Sequence, residues 1–154
     1  MAEIKKPITW KKGRGKLGIF TPLLGTWSAE TETERGRIVC TRTFRSILAG
    51  TYIQLTATWQ LEQGPYEELA FYGANREGGI AFWSFTSDGK QSQGLLADVT
   101  DIHSQAIGFE ALMPAGLARM AYWPDEVEGI RWAVESNTKK GWNRFTEHHY
   151  FRAE

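Results

Sequence analysis

Turn signals recur along this chain at intervals too short to leave room for helices. From Gly25 onward they fall at Gly36, Ala49-Gly50, Gln63-Gly64-Pro65, Gly78-Gly79, Asp88-Gly89, Thr100-Asp101, Pro114-Ala115-Gly116, Glu128-Gly129 and Lys140-Gly141. The stretches between them are rich in β-branched and aromatic residues, which suit a pleated, half-buried backbone. Short strands with regular turn punctuation predict an all-β sandwich or barrel. Ten strands are expected, near residues 24–34, 37–47, 51–62, 67–75, 79–86, 90–99, 104–112, 117–124, 129–137 and 142–152. The one helix-like stretch, Ala106 to Ala118, is interrupted by Gly108, Pro114 and Gly116. With no linker and no low-complexity segment, the simplest arrangement is an antiparallel up-and-down barrel over residues 20–154, preceded by an irregular arm over 1–19. Trp10, Leu17, Ile19 and Phe20 are the arm residues able to tuck against the barrel.

Alternation names the inner face of several strands. Ile53, Leu55, Ala57 and Trp59 alternate with Tyr52, Gln54, Thr56 and Thr58, the pattern of one buried and one wet face. Ile130, Trp132 and Val134 likewise oppose Arg131, Ala133 and Glu135, which places the latter three on the wet side. In the first strand Glu30, Glu32 and Glu34 share a face that must be solvated. The opposite face, Trp27, Ala29, Thr31 and Thr33, is small and partly polar, and suits a lumen.

The Gly25-Thr26-Trp27 element that opens the first strand resembles the Gly-x-Trp signature of the calycin barrels, which include lipocalins and fatty-acid-binding proteins. Thr43-Phe44-Arg45, Leu48-Ala49-Gly50-Thr51-Tyr52, Phe71-Tyr72-Gly73, Ala81-Phe82-Trp83-Ser84 and Ser87-Asp88-Gly89 follow in an order most similar to lipocalin-like bacterial proteins of unassigned function. The resemblance covers residues 20–95 and reaches the C-terminal half only through its strand rhythm. It implies a ligand-binding barrel in which Trp27 closes one end, with Arg152, or else Arg144, packed on the indole. The chain departs from the family in three ways. Only Arg35-Gly36 separates the first two strands, where fatty-acid-binding proteins insert two helices. The Arg-x-Tyr carboxylate clamp is reversed, as Tyr150-Phe151-Arg152. The proline-containing motif of haem-binding calycins is missing, so no cofactor is expected.

The last strand carries the densest chemistry. One face holds Arg144, Thr146, His148 and Tyr150, and the other holds Phe145, Glu147 and His149. Either face brings an ionisable group inward, and a buried charge without a partner costs several kcal/mol. The lumen must therefore contain water, a counter-charge or a polar ligand group. The Arg144/His148/Tyr150 face is the preferred inner one, and solvation of both faces at the rim is the alternative. Arg42 shares a face with Ile38, Cys40 and Phe44, where its planar fork would clamp a carboxylate or else snorkel to a surface glutamate. Trp59, Trp83 and Trp132 sit centrally in strands, as pocket wall or as core.

Other chemistries find no support in the pattern. Adjacent strand residues point to opposite faces, so His148 and His149 cannot chelate one metal. Cys40, the only cysteine, reads as inert core and excludes an internal disulfide. There is no nucleophile elbow. Glu67-Glu68 beside a turn reads as solvated. Asp125, Glu126 and Glu128 form an acidic turn without calcium-loop spacing. A formal net charge of zero gives no general attraction to nucleic acid or anionic membrane. Lys5, Lys6, Lys11, Lys12, Arg14 and Lys16 concentrate in the arm, read as a solvated tail. The opening residues carry no signal peptide and no apolar run approaches a membrane span, so a cytoplasmic protein is expected.

The expectation for function is binding of a small, largely apolar molecule with an acidic or polar head group. Arg42, Arg144, His148 and Tyr150 would orient that group, and Trp59, Trp83 and Trp132 would form apolar wall. Gly25, Trp27 and Arg152 would be structural. Two alternatives remain: a barrel enzyme moving protons through His148 or Glu147, and a packed interaction module that dimerises through strand edges or an outer apolar patch.

Overall fold

A computed structural model describes residues 9–34 and 36–153. A short 3-10 helix, Gly18–Leu23, leads into ten strands: β1 Gly25–Thr33, β2 Gly36–Ile47, β3 Tyr52–Leu61, β4 Gly64–Ala74, β5 Ile80–Thr86, β6 Gln91–Ala97, β7 Ile107–Met113, β8 Gly116–Pro124, β9 Ile130–Thr138 and β10 Gly141–Arg152. Each pairs antiparallel with its sequence neighbours, and β1 pairs with β10 to close the barrel. Closure rests on two ladder pairs, Trp27↔Arg152 and Ser28↔Phe151. No helix among the described residues is long and apolar enough to cross a membrane.

The alternation read from the sequence sets the inner face of β3, with Ile53, Leu55 and Ala57 all buried. Two boundaries differ usefully from expectation. β4 starts at Gly64, ahead of the expected residue 67. β7 starts only at Ile107, because residues 98–106 form a looped connection in which the Asp98 carboxylate accepts from the Thr100 N–H and hydroxyl.

One end of the barrel is solid. Phe20, from the 3-10 helix, packs on Tyr72 and Phe109 at centroid distances of 5.0 and 6.1 Å. Phe82 meets Phe109 edge-on, and Phe44 meets Tyr122 in the same way. Such pairs contribute about 0.5–1.5 kcal/mol beyond their burial. Trp27 seals this end. Its indole N–H donates to the Leu23 carbonyl at 2.8 Å, and the Arg152 guanidinium lies 4.1 Å over its ring. Arg152 also donates to the Leu24 carbonyl, so strand β10 clamps the chain where it enters β1. The arm contributes Trp10, whose N–H donates to Gln105 Oε1 at 2.6 Å, together with Leu17 and Ile19 against the core. Lys5 and Lys6 lie outside the described residues.

Candidate functional site

The opposite half of the lumen is open. Between the aromatic plug and the β7–β8 hairpin lies a cavity of about 400 Å³, whose mouth is framed by Ala115, Gly116, Ser136 and Phe145. Phe82, Phe109, Met120 and Val134 give it an apolar wall, while Arg42, Glu68, Ser92 and Trp132 bring polar atoms to it. This size and mixture suit one small molecule. A larger hollow of about 720 Å³, lined by Glu34, Arg37, Gln60 and Glu62, is a solvent-facing groove between hairpin ends and contains none of the buried donors described next.

Arg42 dominates the cavity floor. It is 1% exposed, so it does not snorkel to the rim. Strand β2 turns it inward beside Cys40 and Phe44, and its neighbours on the adjoining strands are Trp27 and Ala57. Its Nε–H donates to the Tyr150 hydroxyl at 3.0 Å and an Nη1–H donates to the Tyr122 hydroxyl at 2.8 Å. The rings of Trp132, Trp59, Tyr150 and Tyr122 surround the guanidinium carbon at 4.2, 5.2, 5.6 and 5.8 Å. A desolvated cation is tolerated in this way, by π faces and charge-assisted hydrogen bonds together. Burial opposes the charge, but Tyr122, Tyr150 and Glu68 outweigh it and hold Arg42 above its ordinary value.

Two N–H groups in this shell have no partner among the described residues: Nη2 of Arg42 and Nε1 of Trp132. Both side chains line the cavity. A buried donor left unmade costs about 1–3 kcal/mol, so these atoms mark a place where an acceptor is wanted. The Tyr72 hydroxyl is a third buried group without a partner among the described residues, within the aromatic plug.

Among the described residues, the carboxylate brought toward Arg42 is Glu68, with Oε1 3.9 Å from Nη1. Its Oε2 accepts from the Ser84 hydroxyl at 2.5 Å. This overturns the expectation that Glu68 is solvated. Its position two residues before Ala70 and four before Tyr72, on the same strand face, is the sequence signal. Glu67, on the other face, is exposed.

Of the residues expected at the site, Arg42, Trp59, Trp132, His148 and Tyr150 converge. Trp59, His148 and Tyr150 surround the guanidinium and its neighbours rather than line the cavity. His148 stands 5.4 Å from the Trp132 ring with Nδ1 3.4 Å from the Tyr150 hydroxyl. Burial and the Arg42 charge hold its pKa below the ordinary histidine value, so it is neutral at physiological pH. Burial pushes the Cys40 thiol up to about 11, against the opposing pull of Arg42 and Tyr150, which leaves it the inert core group that its strand face implies.

Trp83 and Arg144 do not join them. Trp83 pairs with Phe71 and Gln93 on the outer wall, edge-on to Tyr52, because Phe82 and Ser84 take the inward positions on β5. Arg144 is turned out by a register shift in β10 between Arg144 and Thr146. The strand face that looked continuous from Arg144 to Tyr150 is therefore split at Phe145, and only its later half enters the barrel. Arg144 instead donates to Glu135 Oε2 at 2.8 Å and Glu147 Oε1 at 2.6 Å. Its guanidinium lies over Trp123, so it is Arg152 that packs on Trp27. Glu147 likewise faces outward, between Arg131 and Arg144. His149 points away from His148 and sits 2.7 Å from the Glu128 carbonyl oxygen. Among the described residues no cluster of His, Cys, Asp and Glu is arranged for a metal.

That outer face is itself partly dry, contrary to the alternation reading of β9. Glu135 and Ala133 are buried, covered by Arg119, which donates to Glu135 and bidentately to Asp101 while lying 4.2 Å from the Trp142 ring. At the edge of this network Asp125 accepts from Arg131 and from the Val127 and Glu128 N–H groups. Burial opposes its charge, but these donors outweigh it and lower its pKa to about 2. A carboxylate depressed on folding contributes stability above its unfolded value that is lost as pH falls through the folded one. Asp125→Asn should therefore be less stable than wild type near neutrality, with the difference vanishing between pH 4 and 2. Parallel acid-unfolding curves by circular dichroism would contradict this.

The chain matches no family model and no curated protein.

Proposed function

We propose that this protein binds one small, largely apolar molecule in the barrel cavity and holds an acidic or polar head group at Arg42 and Trp132. The observation that carries this reading is that Arg42 and Trp132, two side chains lining a cavity of about 400 Å³, each hold a buried N–H, Nη2 and Nε1, without a partner among the described residues. A packed module would leave no such space and would have no reason to keep those donors unmade. Trp59, Tyr122, Tyr150 and His148 preorganise the guanidinium, and the apolar wall accepts the rest of the ligand. The Gly25-x-Trp27 element with Arg152 stacked on it supports a calycin-like relationship, nearest to the lipocalin-like bacterial proteins, and a cytoplasmic binder is the setting we favour.

Native mass spectrometry of freshly purified protein, compared with its denatured extract, tests the reading directly. A co-purified small molecule that is retained by wild type and lost from Arg42→Met is the expected result. If wild type carries none, and neither its melting temperature nor its tryptophan fluorescence responds to fatty acids, aryl acids and their amides, the binding function is wrong.

A further inference from the structure

We propose that the head group this cavity selects is electrically neutral and carries an acceptor beside a donor, as in a carboxamide or lactam, rather than a carboxylate. The inference rests on the binding reading above and narrows it.

The cavity is already balanced in charge. Its wall carries two ionisable groups of opposite sign that are not spoken for elsewhere, Arg42 and Glu68. They are loosely matched, at 3.9 Å. Arg119 also reaches this wall, but its guanidinium is saturated by Glu135 and Asp101 on the outer side. His148 is neutral and offers no second positive charge. A ligand carboxylate would therefore place a second anion beside Glu68 in the cavity, leaving one negative charge uncompensated. Like charges out of water repel strongly, and an unmatched buried ion costs several kcal/mol.

The hydrogen-bonding inventory agrees. Arg42 Nη2–H and Trp132 Nε1–H are buried donors without a partner among the described residues, and a carbonyl oxygen offers two lone pairs to such donors. Glu68 uses Oε2 for Ser84, while Oε1 lies too far from Arg42 Nη1 to accept a hydrogen bond. That oxygen is an open acceptor, and the matching ligand atom is an N–H. A carboxylate supplies acceptors only and leaves Glu68 unanswered. A carboxamide supplies both an acceptor for these donors and an N–H for Glu68, and its carbon chain matches the apolar wall of Phe82, Phe109, Met120 and Val134.

The test is a titration of the full chain at pH 7.5 with matched pairs of equal skeleton: decanoic acid against decanamide, and 4-phenylbutyric acid against its amide. Calorimetry and tryptophan fluorescence serve as readouts. In wild type the amides should bind at least about tenfold more tightly than the acids, since a site built for a donor rejects a ligand that lacks it. Glu68→Gln should reverse the order, because the amide side chain removes the repelling charge. Tighter binding of the acids to wild type, or the same preference for amide in Glu68→Gln, would overturn the inference while leaving the binding function standing. No binding of either member of both pairs would overturn both. The wild-type comparison decides the matter even if Glu68→Gln does not fold.

Discussion

Arg42→Ala should destabilise the barrel by about 3–5 kcal/mol, the largest effect expected of any single side-chain truncation here. The guanidinium is the hub of the lumen. Its loss strips the Tyr122 hydroxyl of its donor and takes one from Tyr150. It also removes the counter-charge nearest Glu68 and empties the space between Trp59 and Trp132. Those are distinct penalties: unmade buried hydrogen bonds, an unmatched charge and a void. The sign of each follows from what is left behind rather than from what Arg42 itself contributes. The double variant Arg42→Met with Glu68→Gln should accordingly recover to within about 1.5 kcal/mol of wild type, because it removes both charges and keeps most of the volume. Urea unfolding of the three proteins checks this. If Arg42→Ala costs under about 1 kcal/mol, the guanidinium is not caged as described. The double variant should also bind no ligand despite being folded, which separates the stability of the cage from its use.

Gly129→Ala should be nearly as damaging, by about 3 kcal/mol or more, whereas Gly89→Ala should cost about 1–2 kcal/mol. The two glycines have almost the same backbone, with φ of +79° and +82°. An L side chain is strained there in both cases. They differ in surroundings. A Cβ on Gly89 meets nothing within 4 Å, but one on Gly129 would lie 2.2 Å from the Tyr150 carbonyl oxygen. That oxygen belongs to backbone and cannot swing aside. Relieving the overlap would push apart β9 and β10 where Ile130 pairs with Tyr150, beside the residue that holds Arg42. The variant should therefore melt earlier and also bind ligand less tightly, while Gly89→Ala loses only stability. Equal thermal shifts for the two variants would mean that the hairpin yields without cost.

The periodic signals of this chain were readable without its structure because they are local. Glycines such as Gly89 and Gly129 punctuate the strands, and β-branched and aromatic residues alternate between them, so ten strands and an all-β closure follow from neighbours in sequence. The inward set Arg42, Trp59, Trp132, His148 and Tyr150 was legible for the same reason: parity along a regular strand is conserved from one residue to the next. The failures lie where parity breaks or where a charged residue near a strand end is taken for solvated. The irregularity at Phe145 inverts the face of Arg144, which no count of apolar residues detects. Glu68 sits in the outer reach of β4, where a carboxylate beside a turn looks like solvent-facing charge. Trp83 illustrates a third limit. In β5 both faces carry aromatics, so hydrophobicity alone cannot say which side is in.

The sequence by itself determined that this protein is a run of ten short antiparallel strands with an ionisable group to accommodate on the inner face, because strand formation and alternation depend on contacts within a few residues. Only the tertiary structure decided that half of the lumen is filled and half open, that Glu68 is brought toward Arg42, and that Arg42 and Trp132 each keep an N–H without a partner among the described residues. Those facts depend on which side chains from β2, β4, β5 and β9 meet across the barrel. Such meetings are set by closure and register between strands distant in sequence, and no local pattern encodes them.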